Sequence, residues 1–407
     1  MICRHCKKPL KHVFLDLGVA PPSNAYLRPE DLQRPELYFP LKLYVCDHCW
    51  LVQTQDFTRS DELFTTDYAY FSSVSQSWLQ HAAEYCGMIQ KRLGLNTSSL
   101  VIEIASNDGY LLKNFLAEDI PCLGIEPTDS TANAAEQLGI PVLRRFFGKV
   151  LAEQLASEKK QADLIIGNNV YAHVPDINDF TTGLKTALKP EGIITLEFPH
   201  LMRLIERNQF DTVYHEHFSY LSLYTVKHIF EQAGLCVFDV DELQTHGGSL
   251  RVYGSHAENP IPKTNRVDAV LDKEKRRGLQ GLPIYLQFQS RANKVKDDLL
   301  AFLVKEKRFG KTVAAYGAAA KGNTLLNYAG VKPDLIQFVC DAAPSKQGKF
   351  MPGSRIPILA PSVLVEYRPD WVVILPWNIA DEVIEQQENI RDWGGRFATA
   401  IPNLDFL

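Results

Sequence analysis

Ser99-Leu-Val-Ile-Glu-Ile-Ala-Ser-Asn-Asp-Gly-Tyr-Leu-Leu112 is the stretch whose reading decides the fold. Leu100 to Ile104 form a short apolar run, the pattern of a buried strand. The run breaks into small and polar residues with one glycine and enters a helix near Tyr110. Strand, tight turn and helix in that order open a doubly wound α/β sheet, whose ligand crevice lies at the carboxyl ends of its strands. A dinucleotide site needs three glycines to admit a pyrophosphate. This turn has Gly109 alone, so a ligand without phosphates fits the corner better.

Working outward, further strands are predicted at Cys122 to Glu126, near Ile140 to Leu143, at Ala162 to Asn169 and at Gly192 to Pro199, with helical stretches between them. A helical pattern from residue 76 to Leu93 precedes the first strand. Glu126 stands at the tip of the second strand, where a carboxylate can accept hydrogen bonds from ribose hydroxyls. The fourth ends in Asn168-Asn169 and is followed by Tyr171 and His173. Polar side chains at successive strand ends converge on one crevice. The sheet then leads into Asp211-Thr-Val-Tyr-His-Glu-His-Phe-Ser-Tyr220, which packs imidazole, carboxylate and phenol densely. In an extended segment His215 and His217 point to one side and Glu216 to the other. Histidine is the side chain best suited to move protons near neutral pH, so the cluster reads either as an acid–base centre or as a polar loop beside the core.

At the amino terminus, Cys3-x-x-Cys6 and Cys46-x-x-Cys49 are separated by 39 residues. Two such knuckles predict a tetrahedral four-cysteine zinc site with no open position, hence a structural one. It would order a proline-rich lobe (Pro21, Pro22, Pro29, Pro35, Pro40) with little core of its own. The other cysteines, at 86, 122, 236 and 340, stand in apolar surroundings as small hydrophobes. Tyr68-Ala-Tyr-Phe-Ser-Ser-Val-Ser75 supplies aromatic residues that either staple the lobe to its neighbour or wall a pocket.

Beyond the cluster, a helix (Leu223 to Ala233) and a strand (Leu235 to Val240) lead to Thr245-His246-Gly-Gly-Ser249-Leu-Arg251-Val-Tyr253. Its paired glycines allow close backbone approach to a ligand, and Arg251 could grip a diphosphate bidentately or stand exposed beside a β-turn. Residues 260 to 285 are charged and turn-rich, a linker by pattern. An amphipathic helix from Leu286 to Leu303 bridges into a second α/β unit. That unit opens with Lys311-Thr-Val-Ala-Ala-Tyr-Gly317-Ala-Ala-Ala-Lys321-Gly322-Asn323, where small residues and Lys321 suit a phosphate at a helix start. Strands at Leu335 to Cys340 and Trp371 to Leu375 follow, the first ending in Asp341.

Hydrophobic residues are 45% and charged residues 22% of the 407, enough apolar material for two or three domain cores. The net charge of -5 and dispersed basic residues argue against a nucleic-acid partner. No apolar run is long enough to span a bilayer, and the amino terminus lacks the core of a signal peptide. A cytoplasmic location without membrane contact is the expectation. No heptad or exposed apolar stripe demands an oligomer, so the oligomeric state stays open.

Glu103-x-x-x-Asn107-Asp108-Gly109 and Gly124-Ile-Glu126-Pro127 resemble the first two motifs of S-adenosylmethionine-dependent methyltransferases. Taken with the cysteine pairs, Asn169-x-Tyr-x-His173 and Tyr214-His-Glu-His217, the chain resembles the sugar C-methyltransferases that build branched deoxysugars such as tetronitrose and mycarose. The likeness spans essentially the whole chain. It implies an α/β protein of three parts: a zinc-binding lobe (1–75), a central doubly wound Rossmann-like methyltransferase domain (76–285), and a smaller Rossmann-like α/β domain (286–407) for the nucleotide-sugar. S-adenosylmethionine and a structural zinc ion are the implied cofactors, and an NDP-linked keto-sugar, on dTDP or another nucleotide, the partner. Cofactor contacts would come from Glu103, Ser106, Asn107, Gly109, Glu126, Asn168 and Asn169. Substrate contacts would come from Asn169, His173, His246, Arg251, Lys321 and Asn323. His217 would be the base, with Tyr214, Glu216 and Tyr68 completing the catalytic set. Two other readings compete: an NAD-dependent nucleotide-sugar oxidoreductase built on the Gly317 turn and Asp341, and a non-catalytic zinc-ribbon interaction protein.

Overall fold

A computed structural model of the chain describes residues 1–55 and 71–407. In the amino-terminal lobe, strands β1 (His12–Ala20), β2 (Phe39–Val45) and β3 (Val52–Thr54) pair antiparallel in that order. The lobe does not bury its apolar face alone. Phe14, Leu15 and Leu43 join one core with Phe288, Val295, Leu325 and Val339 of the carboxyl-terminal unit, and Phe14 stacks on Phe288 at 4.8 Å. The shared core explains how so proline-rich a segment stays folded.

The helix Gln76–Leu93 begins where the Ser75 hydroxyl accepts from the Trp78 N–H and stops at Gly94 in the left-handed region. The central sheet then builds from β4 (Val101–Ile104), β5 (Cys122–Ile125), β6 (Val142–Leu143), β7 (Ala162–Asn168) and β8 (Leu188–Pro199). The next strand, β9 (Ser219–Tyr220), leaves this sheet and pairs with β3 of the lobe. Two more, β10 (Leu235–Leu243) and β11 (Ser249–His256), complete the central sheet in the order β10-β11-β8-β7-β4-β5-β6. Strands β4 to β8 are mutually parallel, and β11 is antiparallel to both its neighbours. Strand order reverses between β4 and β7, which puts the ligand crevice at their carboxyl ends.

The segment expected to be a linker is instead largely helical, with helices at Asn265–Arg276 and Leu282–Leu286. Val267 and Val270 dock the first on the central core, and Glu274 accepts the Leu223 and Tyr224 N–H groups at a helix start. A long helix, Phe288–Arg308, leads to β12 (Val313–Tyr316), β13 (Val339–Cys340), β14 (Ile358–Leu359), β15 (Trp371–Ile374), β16 (Arg396–Thr399) and β17 (Asp405–Phe406). Their order is β14-β13-β12-β15-β16-β17, parallel except for the last pair. Strand β13 is shorter than its apolar run because a turn takes up residues 333–335. This sheet reverses between β12 and β15. Trp377, just past β15, packs on Gly247 and donates its indole N–H to Asp211. Trp377 thereby joins the strand ends of the carboxyl-terminal sheet to the segment that begins at Asp211.

Candidate active site

The turn after β4 is wound tightly: Ala105, Asn107 and Gly109 all have positive φ. Gly109 is required twice over, by its φ of +77° and because a Cβ there would lie 2.5 Å from the Ile140 side chain. Glu126 holds the turn from the next strand, accepting from the Asn107 N–H (3.0 Å), the Thr128 N–H (2.9 Å) and the Thr128 hydroxyl. Ser72 and Ser73 close over it by donating to Asn107 Oδ1 and Asp108 Oδ2.

Buried polar atoms gather at these strand ends without partners among the described residues. They are both Glu103 carboxyl oxygens, Ser106 Oγ, Asp108 Oδ1, both Asn168 side-chain atoms and Asn169 Oδ1. Such groups cost free energy unless a ligand or water satisfies them. Burial holds the Glu103 carboxyl well above the usual carboxylate range, with Asp108 and Glu126 adding repulsion. A ligand carrying positive charge and several hydrogen-bonding groups would relieve that tension, and S-adenosylmethionine has both.

Residues 214–217 form a turn, the His217 N–H donating to the Tyr214 carbonyl at 3.0 Å. Alternation therefore fails here, and the two histidines diverge. His215 faces the lobe, with Nε2 3.3 Å from the Phe39 carbonyl. His217 turns inward, and its Nδ1 meets the Thr212 carbonyl at 3.0 Å. A carbonyl only accepts, so Nδ1 carries the proton and Nε2 keeps its lone pair. Its ring lies 4.0 Å from that of Tyr214, 4.6 Å from His173 and 5.8 Å from Tyr220, centroid to centroid. Burial pushes His217 well below the ordinary imidazole range, and His173, His246 and Lys321 push it further. Burial likewise takes His173 down to about 4, and burial with the charge of Lys321 takes His246 to about 4. The Glu216 carboxylate accepts from the Asn24 amide at 2.8 and 2.9 Å.

Other residues expected at the site divide into two groups. Asn169 and His246 meet, amide to Nε2, at 3.1 Å, and both have positive φ. Lys321 lies near His246, His217 and Asp211, with its ammonium over the Trp377 ring at 4.7 Å. Burial lowers its pKa and Asp211 opposes that shift. Arg251, by contrast, is not offered to a diphosphate: it is buried and paired with Glu197 at 2.7 Å, its guanidinium over the Tyr85 ring. Asn323 is also committed, donating to the Ser23 carbonyl at 2.5 Å and so tying the lobe to the helix Ala320–Ala329. Tyr68 lies outside the described residues.

Several residues at the site went unassigned in the sequence. Asp211 is fully buried and its pKa is raised by burial to about 6. It lay within the quoted cluster, and Trp377 just past a predicted strand end; position alone could have flagged both. Glu197, at the end of β8, binds His81, Arg251 and Thr245 together. The Gly317 turn does not suit a dinucleotide. Asp341 is taken by the Ala318 and Ala343 N–H groups and Lys346, and the Tyr26 hydroxyl of the lobe caps the Ala318 carbonyl.

The four sulfurs of Cys3, Cys6, Cys46 and Cys49 lie within 4.8 Å of one another, with Cys3–Cys49 at 3.6 Å and Cys6–Cys46 at 3.5 Å. Zn–S bonds of about 2.3 Å in a tetrahedron put sulfurs about 3.8 Å apart, so the cluster fits zinc. His5 turns away to Asn178, and Gln53 donates to Cys3 Sγ at 3.3 Å.

A doubly wound sheet with an antiparallel seventh strand, a crevice of unsatisfied polar groups and a buried histidine define an S-adenosylmethionine-dependent methyltransferase. Family models match end to end: a zinc binding domain over residues 3–64, a methyltransferase domain over 77–240 and a C-methyltransferase C-terminal domain over 244–402. The chain is 34% identical over 400 residues to the C-methyltransferase NovU of Streptomyces niveus, across 98% of this chain and 95% of that protein. Solved structures similar over part of the chain include magnesium protoporphyrin IX methyltransferase (ChlM) from Synechocystis PCC 6803 with bound SAM (12% identity, 44% of this chain and 79% of that one, TM-score 0.33). Another is an SAM-dependent methyltransferase from Anabaena variabilis ATCC 29413 (16% identity, 43% and 84%, TM-score 0.35). The chain belongs to the family of S-adenosylmethionine-dependent C-methyltransferases that carry an amino-terminal zinc-binding domain. No helix among the described residues is long and apolar enough to cross a membrane.

Proposed function

We propose that this C-methyltransferase acts on the ring carbon α to the ketone of an NDP-linked 4-keto-deoxysugar, C-3 of the ring, in branched-sugar biosynthesis. The observation that carries the reading is His217, buried beside Tyr214 and His173 with its tautomer fixed so that Nε2 can take a proton. A carbon nucleophile must first lose a proton, and a neighbouring ketone makes that proton acidic enough for a positioned imidazole. His217 removes it, Tyr214 donates to the enolate oxygen, and Glu216, held by Asn24, orients the sugar from the lobe side. Tyr68 belongs to the same catalytic set. Bound S-adenosylmethionine supplies an electrophilic methyl, whose bond to sulfur breaks as the new carbon–carbon bond forms.

Glu103, Ser106, Asn107, Glu126, Asn168 and Asn169 would hold that cofactor, with Gly109 shaping the turn beneath it. Lys321 would meet the diphosphate, with His173, His246 and Asn169 around the sugar. Arg251 and Asn323 enter this reading as supports, through Glu197 and Ser23. The test incubates the enzyme with S-adenosylhomocysteine and a panel of nucleotide keto-sugars in D2O. One deuterium should enter at the α carbon of the true substrate, and the same sugar should gain one methyl when S-adenosylmethionine is supplied. Methyl transfer only to acceptors with no proton α to a ketone would defeat the proposal.

A further inference from the structure

Arg4 lies inside the first metal knuckle, between Cys3 and Cys6, yet its side chain points away from the thiolates into the protein. It is buried, and its guanidinium donates to two backbone carbonyls, Pro175 at 2.5 Å and Thr54 at 3.2 Å. The same guanidinium lies over the Phe218 ring at 5.4 Å. Pro175 is two residues from His173, and Phe218 follows His217. The Phe218 N–H donates to the Ala172 carbonyl, and Thr54 donates to Phe218 through its N–H and to His217 through its hydroxyl. Gln53 completes the linkage. Its amide joins the Arg4 N–H to Cys3 Sγ, and its backbone pairs with Ser219 in β9.

We infer that Arg4 is a positioning residue that sets His173 and His217 against each other, so that the thiolate cluster, through its own knuckle, fixes the geometry of the base and the imidazole packed on it. A guanidinium suits the task because its planar fork reaches two carbonyls and one aromatic face at once. A lysine could reach one. The zinc lobe is thus part of the alignment of the site, besides being a staple for the amino terminus. The kinetic arm of this inference rests on His217 acting as proposed above; the exchange arm does not.

Arg4→Gln, Arg4→Lys and, remote from the metal, Phe218→Leu test it. Each variant should keep one zinc per chain by elemental analysis and wild-type S-adenosylmethionine affinity by calorimetry. In Arg4→Gln, misalignment of the pair should lower kcat about 10²-fold with little change in sugar KM. Amide exchange by mass spectrometry should quicken about tenfold over residues 171–176 and 214–220 alone. Arg4→Lys should recover part of both losses, and Phe218→Leu should show the local exchange with zinc intact. Unchanged exchange in these segments in both Arg4→Gln and Phe218→Leu would overturn the inference, and so would zinc loss with exchange rising across the whole lobe. Faster local exchange with unchanged kcat would leave the positioning role standing and strike instead at His217 as base.

Discussion

Replacing His217 with asparagine separates the two tasks of its ring. The asparagine amide N–H reaches about where Nδ1 lies, so the bond to the Thr212 carbonyl, 3.0 Å in the wild type, can survive. Nothing in asparagine replaces the Nε2 lone pair. A general base is worth about 10²–10⁴-fold, or roughly 2.7–5.5 kcal/mol of activation free energy, and kcat should fall by that much. The lost ring atoms leave a small void beside Tyr214, His173 and Tyr220, costing on the order of 1–2 kcal/mol of stability. Cofactor affinity should be unchanged, because the rings that pack on the replaced atoms, Tyr214, His173 and Tyr220, stand outside the set of cofactor-crevice residues. Single-turnover kinetics with labelled methyl, alongside calorimetry, measure the two quantities separately. Turnover within threefold of wild type would remove His217 from the reaction, as would deuterium entry into the keto-sugar at the wild-type rate.

His173 gives a stability signature: its pKa falls from 6.5 to about 4 in the fold, so below pH 6.5 the unfolded chain binds a proton that the native state refuses. Stability should drop as pH falls through that window, by on the order of 2 kcal/mol at pH 5 for this residue, and level off below about 4; urea unfolding of wild type and His173→Gln should show the variant with the shallower slope. Gly109→Ala combines a positive φ with a 2.5 Å approach to Ile140, so it should cost about 2–4 kcal/mol and weaken S-adenosylmethionine binding, read by thermal shift. Chelation should strip about one zinc per chain and, since four-thiolate sites supply roughly 10 kcal/mol or more of folding free energy, unfold the lobe together with the core it shares. A metal-free protein that melts at the wild-type temperature would contradict that.

What the sequence made legible was whatever rests on local pattern. Apolar runs marked β4, β5, β7 and β8 to within a few residues, and the helix Gln76–Leu93 followed from its period. Pairings across long separations left no local trace. Arg251 reads in the sequence as a diphosphate grip or an exposed arginine beside a β-turn, but β11 lies against β8 with Arg251 directly opposite Glu197, and only the register reveals that the charge is already spent. The helix Asn265–Arg276 buries only Val267, Val270 and Glu274, so its charged surface hid the helical spacing. The lobe seemed to lack a core because that core lies mostly in residues after 284. At the cluster itself the residue types were informative and the conformation was not: a turn at 214–217 separated two histidines that alternation would have aligned.

A weakly basic histidine is a poor base, and the site must answer that. His217 is depressed by burial and by the neighbouring His173, His246 and Lys321, and the hydrogen bond to the Thr212 carbonyl opposes them. Of these only Lys321 is cationic at neutral pH, since His173 and His246 are themselves held neutral near 4. A diphosphate bound at Lys321 would cancel that field and favour the protonated imidazole, strengthening the base when the sugar is in place. The acid limb of kcat/KM reports the free enzyme and that of kcat the loaded one. Activity needs the neutral ring, so both limbs should fall only well below the ordinary imidazole range, and the kcat limb should lie at the higher pH. In Lys321→Met the free-enzyme limb should shift upward toward the loaded one, because the cation that depresses His217 is gone. Acid limbs that coincide in the wild type, or a kcat limb below that of kcat/KM, would mean that the substrate's negative charge is bound elsewhere than beside Lys321.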